Sequence, residues 1–203
     1  MKSATKIVLV ALAAGVLGVV ASVWTSGPGP LVRPALRSEL GQRALQAMAS
    51  ASAPEPPAGL AIAKRGQSMP NLVLPTPDGD AIALPAAYAG RPLLINLWAS
   101  WCGPCIKEMP ELDRFARQQT ANGTQVVGIA LDEADAVQAF LKRTPVSYPI
   151  LLDVAGPADS GVRLGNLKGV LPFSVLVGAD GRVLKQKLGP FETGEIREWV
   201  GKH

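Results

Sequence analysis

The sequence is short of several residue types on which protein chemistry often relies. Among 203 residues there are two cysteines, one histidine and only 5% aromatics. A single histidine, His203, leaves no set of imidazoles for a metal centre. Two cysteines three positions apart, Cys102 and Cys105, exclude a disulfide framework. Closing so short a loop removes little entropy from the unfolded chain, so stabilisation is a weak reason for the pair and reactivity a stronger one. Charge is sparse too: 18% of residues are charged and the net +4 is scattered. With no basic stripe interleaved with aromatics, nucleic acid is removed as a partner class. No internal repeat is visible.

What is abundant is apolar residues, 48% of the chain, which excludes a disordered protein. A positive mean hydropathy in so small a chain points to one segment built for lipid. Lys2 and Lys6 precede an apolar run from Ile7 to Trp24, near the lower limit for a spanning helix. A secretory signal shares this charged start and apolar middle, and Val19-Val20-Ala21 is a passable cleavage site. The run exceeds a usual signal core, which favours an uncleaved anchor. Residues 1–24 are therefore expected to be an inner-membrane anchor, with the remainder outside the cytoplasm by the positive-inside rule, although Arg33, Arg37 and Arg43 blur that asymmetry. Residues 25–65, rich in Pro, Ala, Gly and Ser, read as a tether. Within it Leu36, Leu40, Ala44, Leu45 and Met48 recur at helical spacing, which predicts a short helix over 36–48, resting on the domain or on the membrane surface.

From Gly66 to His203 short β-type runs alternate with helical patterns, the signature of an α/β domain around a central mixed sheet. Leu72–Leu74 and Ala81–Leu84 about Asp78-Gly79 predict a hairpin. Pro92–Trp98 and Gln125–Leu131 read as buried strands, with a helix over 103–119 between them. A helix over 133–142 leads to an extended run over 148–152. Ser174–Val177 and Arg182–Leu188 flank Asp180-Gly181 as an antiparallel edge pair, and Thr193 is placed to cap a closing helix that ends at Lys202.

A CxxC pair between a buried strand and a helix sets its first sulfur at the helix N-terminus, where unpaired amides and the dipole favour a thiolate. Cys102 is thus the expected nucleophile. Cys105, one turn inward, is the expected resolving thiol that attacks the mixed disulfide. Gly103 lets the loop turn tightly, and Pro104 loses nothing by lacking an amide hydrogen there. Half a zinc site is the competing reading, but it needs four ligands and finds only His203 besides the cysteines. Ile106 directly after Cys105 removes the haem-attachment reading.

The run Asn96-Leu97-Trp98-Ala99-Ser100-Trp101-Cys102-Gly103-Pro104-Cys105, followed by Glu108-Met109-Pro110-Glu111-Leu112, resembles the TlpA/ResA family of extracytoplasmic thioredoxins over residues 66–203. The resemblance implies a thioredoxin fold with an N-terminal hairpin and a central insert. It implies a thiol–disulfide oxidoreductase that needs no cofactor beyond its own Cys102–Cys105 disulfide and works in the periplasm. The expected partners are a client protein with a reducible disulfide, as in cytochrome c maturation or copper-oxidase assembly, and a membrane reductant of the DsbD/CcdA type; a monomer is expected. It also implies a cis peptide between Leu171 and Pro172, facing the cysteines and presenting backbone to an extended client; pattern alone leaves a trans proline at a strand start equally open. Phe173 departs from the family's usual Thr.

Cytoplasmic thioredoxins place a buried Asp six residues before the first Cys, where this chain has Asn96. Glu108, one helical turn past Cys105, is the candidate proton handler; the alternative is a solvated carboxylate paired with Lys107 or Arg114. Trp101 belongs to the expected docking surface with Gly103, Pro104 and Leu171, whereas Trp98 is expected in the core. The Gly-Pro dipeptide between the cysteines resembles reducing thioredoxins more than oxidising relatives with a His there. The rival function is a copper metallochaperone using both thiols as soft ligands.

Overall fold

The computed structural model describes residues 38–51, 55–121 and 123–201. The chain divides into two compact units, 1–45 and 46–203. Of the first unit only 38–45 are described, and they begin helix α1 (Glu39–Ala51), three residues later than the apolar spacing predicts. Ser38 opens it: its Oγ accepts the Gly41 amide at 3.1 Å, the bond an N-cap serine makes to a free first-turn amide. The expected anchor at 7–24, Lys202 and His203 lie outside the described residues. Among the described residues no helix is long and apolar enough to cross a membrane.

The second unit is built on two sheets. Strands β1 (Leu72–Pro75) and β2 (Ala81–Leu84) pair antiparallel as the expected hairpin, and Gly79 takes φ +97° in the loop, a conformation open to glycine at no steric cost. The main sheet contains β3 (Leu93–Trp98), β4 (Gln125–Leu131), β5 (Ile150–Asp153), β6 (Phe173–Val177) and β7 (Val183–Leu188), in the order β5-β4-β3-β6-β7. The pairs β3/β4 and β4/β5 are parallel, whereas β3/β6 and β6/β7 are antiparallel. Helix α2 (Gly103–Arg117) joins β3 to β4, and α3 (Ala134–Arg143) joins β4 to β5. The short α4 (Ser160–Arg163) precedes β6, and α5 (Glu195–Gly201) closes the domain.

All six residues of β3 are buried, which is why this strand reads as an unbroken apolar run: both faces of the sheet are covered. On one face Leu94, Trp98, Val126, Ala130 and Leu176 pack against Met109, Leu112 and Phe115 of α2, Val137 and Phe140 of α3, and Ile196 and Val200 of α5. On the other, Leu93, Ile95, Leu97, Val127, Ile129 and Val175 pack against Leu72, Leu74 and Leu84 of the hairpin.

The helix-covered face carries a polar interruption. The registers Asn96↔Gly128, Asn96↔Ser174 and Ser174↔Lys187 set four non-apolar positions in one row across β4, β3, β6 and β7. Space is tight around Gly128 at its end of the row. A Cβ there would stand 2.6 Å from Ile150 Cδ1 and 3.2 Å from both Trp98 Nε1 and Tyr148 Cε2.

Candidate active site

Strand β3 delivers the chain to the N-terminus of α2, where Cys102 is the N-cap with extended backbone dihedrals. Its Sγ accepts the Cys105 amide at 3.3 Å, the place a serine or aspartate oxygen fills at an ordinary helix start. Cys102 and Cys105 form a disulfide. Cys102 is 5% exposed and Cys105 not at all, so an incoming group meets Cys102 first. Around it Trp101 is 70% exposed, Gly103 and Pro104 are exposed, and Leu171 is half-buried. Trp98 is fully buried against Phe140.

The Leu171–Pro172 peptide is cis, as the resemblance implies. Leu97 pairs with Phe173, so one further step along the register sets buried Pro172 opposite Trp98, four residues before Cys102. The backbone leading into it is clamped: Asn166 Nδ2 donates to the Val170 carbonyl at 2.9 Å while its Oδ1 accepts the Val170 amide at 3.0 Å. Both polar groups of Val170 are thereby occupied. The loop before Cys102 is clamped as well, because Asp132 at the end of β4 accepts the Ser100 amide at 2.8 Å and the Ser100 hydroxyl at 2.6 Å through one oxygen. These bonds hold the Asp132 carboxyl below the usual range despite the opposing cost of its burial.

Glu108 is not a surface carboxylate and pairs with neither Lys107 nor Arg114; Arg114 bonds Glu111 instead. It is 2% exposed, on the face of α2 turned to the sheet. Asn96 Nδ2 donates to its Oε1 at 2.8 Å, and the Phe191 amide to its Oε2 at 2.6 Å. Burial pushes its pKa up to about 7, against the opposing pull of those two bonds and of the Lys187 charge, while the Glu195 charge adds to the rise. Asn96 Nδ2 also donates to Ser174 Oγ at 3.1 Å, so the residue at the thioredoxin aspartate position serves as donor to an acid on the neighbouring helix. Nearby Tyr148 is buried, and its hydroxyl has no hydrogen-bond partner among the described residues. Its pKa is raised, chiefly by burial and then by the charges of Glu108 and Asp113.

The sequence reading missed Asp132, Asn166, Ser174, Lys187, Glu195 and the Phe191 amide. All reach the site from distant parts of the chain. The single local signal was the alternation of Lys185 and Lys187 in β7, which has the look of a solvent face yet is buried. Among the described residues no group of three or more His, Cys, Asp or Glu side chains is arranged to hold a metal.

A mixed sheet flanked by helices, with a disulfide at the N-terminus of the helix after its central strand and a cis-proline beside that loop, defines a thioredoxin-fold thiol–disulfide oxidoreductase. The Redoxin family pattern matches residues 64–200. The thiol-disulfide oxidoreductase ResA of Bacillus thuringiensis (strain Al Hakam) is 31% identical over 140 residues, which are 68% of this chain and 77% of that protein. Sporulation thiol-disulfide oxidoreductase A of Bacillus subtilis is 26% identical over 132 residues, 63% of this chain and 76% of that protein. Among solved structures, a thioredoxin-related protein from Neisseria meningitidis serogroup B superposes with a TM-score of 0.56 at 34% identity, covering 64% of this chain and 96% of that one. StoA from Bacillus subtilis gives 0.53 at 26% identity, over 65% and 97%. The chain belongs to the redoxin family and, within it, to the TlpA/ResA-like thiol–disulfide oxidoreductases.

Proposed function

We propose that this chain reduces disulfides of client proteins on the outer face of a bacterial inner membrane, through the Cys102–Cys105 dithiol. The observation that carries the reading is the pairing of a helix-capping, first-met Cys102 with a fully buried Cys105 and a buried acid one turn further on. In the reduced protein the Cys102 thiolate attacks one sulfur of a client disulfide. That bond breaks, a Cys102–client disulfide forms, and the first client thiolate leaves and takes up a proton. Cys105 then loses its proton toward Glu108 and attacks Cys102 Sγ; the second client thiolate leaves and is protonated. Two electrons have passed to the client and the chain is left as the disulfide. Near neutral pH a carboxyl with a pKa of about 7 is matched to receiving and returning that proton.

Pro172 and the backbone of Leu171 are read as the edge on which an extended client segment lies, with Trp101, Gly103 and Pro104 as the rest of the docking rim. Outside the cytoplasm such a dithiol is reoxidised unless a membrane donor, of the DsbD/CcdA type, restores it. Anchoring through residues 7–24 and clients of the cytochrome c or copper-oxidase type follow from the sequence and the resemblance. The test is reduction of a protein disulfide by the full chain driven by a small dithiol. Cys102→Ser should abolish turnover, and Cys105→Ser should accumulate a mixed disulfide with the client. Turnover surviving the Cys102 change would sink the assignment. The copper-binding reading is kept apart by equilibrium dialysis of the reduced chain with Cu(I), where binding too weak to outcompete a thiol buffer leaves the reductase alone.

A further inference from the structure

A lysine and a glutamate that the redox chemistry does not use lie beside Glu108. Lys187 is 3% exposed, and its Nζ lies 3.0 Å from Glu195 Oε1, whose side chain is only 14% exposed. Taking two charges out of water is costly, and a buried ion pair often stabilises no better than apolar residues of the same size. Stability is therefore a poor reason for this pair to be there, and its position offers a better one. Lys187 ends the in-register row Asn96–Ser174–Lys187, whose first member donates to Glu108 Oε1. Its ammonium also sits 5.3 Å from the centre of the Phe191 ring, and the Phe191 amide donates to Glu108 Oε2. Sheet register on one side and residue 191 on the other thus fix the ammonium relative to the carboxyl. Glu195 is fixed in turn, since its Oε2 accepts the Glu192 amide at 2.9 Å.

We propose that Lys187 and Glu195 are positioning residues for Glu108: a buried ion pair whose two opposite charges, held at the end of the polar row, set the affinity of that carboxyl for its proton. This rests on the reading of Glu108 as the proton handler for Cys105. The groups that face Glu108 are Asn96 from β3, Lys187 from β7, the Phe191 amide and Glu195 from the α5 end, and the Tyr148 hydroxyl before β5, while Ser174 from β6 bears on it only through Asn96. Lys185 on β7 shares the face but is engaged at the Trp199 carbonyl, 2.7 Å away. Asp113 on α2 is bound to Ser147 and Arg117. The charges that bear on Glu108 are those of Lys187, which favours the carboxylate, and Glu195, which opposes it.

Opposite signs make the test specific. In the full oxidised chain, where no thiol titrates, the Glu108 carboxyl is followed by 13C NMR and assigned by its loss in Glu108→Gln. Lys187→Met, which leaves Glu195 unneutralised, should raise the midpoint by about one pH unit, and Glu195→Gln, which frees the ammonium, should lower it by about as much. The double variant should return close to the parent, because the charges leave together. Lys187→Arg should keep the parent midpoint. Single variants that both leave it in place, or move it the same way, overturn the proposal. If Lys187→Met does not fold, the Glu195→Gln arm decides alone, with an unmoved or raised midpoint as refutation. Midpoints that move as stated, while Glu108→Gln leaves resolution of the mixed disulfide unchanged, would remove the proton-handling reading and leave this one standing.

Discussion

Replacing Glu108 by Gln tests the buried acid through stability, independently of any client. The carboxyl has an ordinary value of 4.5 and is pushed up to about 7 by burial in the folded chain. Below the lower value both folded and unfolded chains bind the proton, and above the higher one neither does. Between them the folded chain binds more, so stability is fully present below pH 4.5 and is lost as pH rises through about 7. At 1.36 kcal/mol for each pH unit of difference, the loss is about 3 kcal/mol. Glutamine cannot titrate. Its carbonyl still accepts the Phe191 amide, and its NH₂ can donate to Asn96 Oδ1, which has no partner among the described residues, after that amide turns over. Urea unfolding of the oxidised chain between pH 4.5 and 8.5 should show the parent losing about 3 kcal/mol relative to Glu108→Gln. All other titrations are common to both proteins and cancel. Parallel stability curves would refute the buried, proton-holding carboxyl and with it the link to Cys105.

Asp132→Ala should release the Ser100 amide and hydroxyl together, costing about 1 to 3 kcal/mol by thermal unfolding. It should also slow the attack of Cys102 on a client more than the subsequent resolution, in stopped-flow traces; equal slowing of both would deny the clamp a role in presenting Cys102. Asn166→Ala frees both backbone groups of Val170 and should weaken client docking several-fold, visible as a raised KM with kcat little changed; an unchanged KM counts against Leu171–Pro172 as the docking edge. Gly128→Ala forces a methyl toward Ile150, Trp98 and Tyr148 and should destabilise by about 1 to 3 kcal/mol; a neutral effect in denaturant titration would show that this corner has room to relax.

The strands that were easiest to read are those whose burial is simplest. Pro92–Trp98 and Gln125–Leu131 are apolar because both sheet faces are covered, and they are found at Leu93–Trp98 and Gln125–Leu131. The expected run at 148–152 becomes β5 at Ile150–Asp153, since pairing with β4 begins at Gly128↔Ile150. The two cysteines, the cis-proline and Glu108 could be named from local motif and resemblance. Their supporting residues could not, because each is brought in by pairing across the sheet or by helix docking. Lys187 shows why: alternation along β7 gives its face but not whether that face is wet. An edge strand with inward-pointing charges resists pairing with other chains, and a lysine stem buries well if its ammonium finds a partner. Glu195 is that partner, eight residues on and in another element.

Moving the acid from the strand to the helix changes more than its address. An aspartate in place of Asn96 would be fixed to the sheet, whereas Glu108 sits on α2 with both cysteines, one turn beyond Cys105. A displacement of α2 against the sheet would carry thiols and acid together and leave the Cys105-to-Glu108 relation intact. What it would alter is the bonding of the acid, because Asn96, Phe191, Lys187 and Glu195 all belong to other elements. The proton affinity of Glu108 is thus set by how α2 docks on the sheet and α5, while its reach to Cys105 is set by the helix itself.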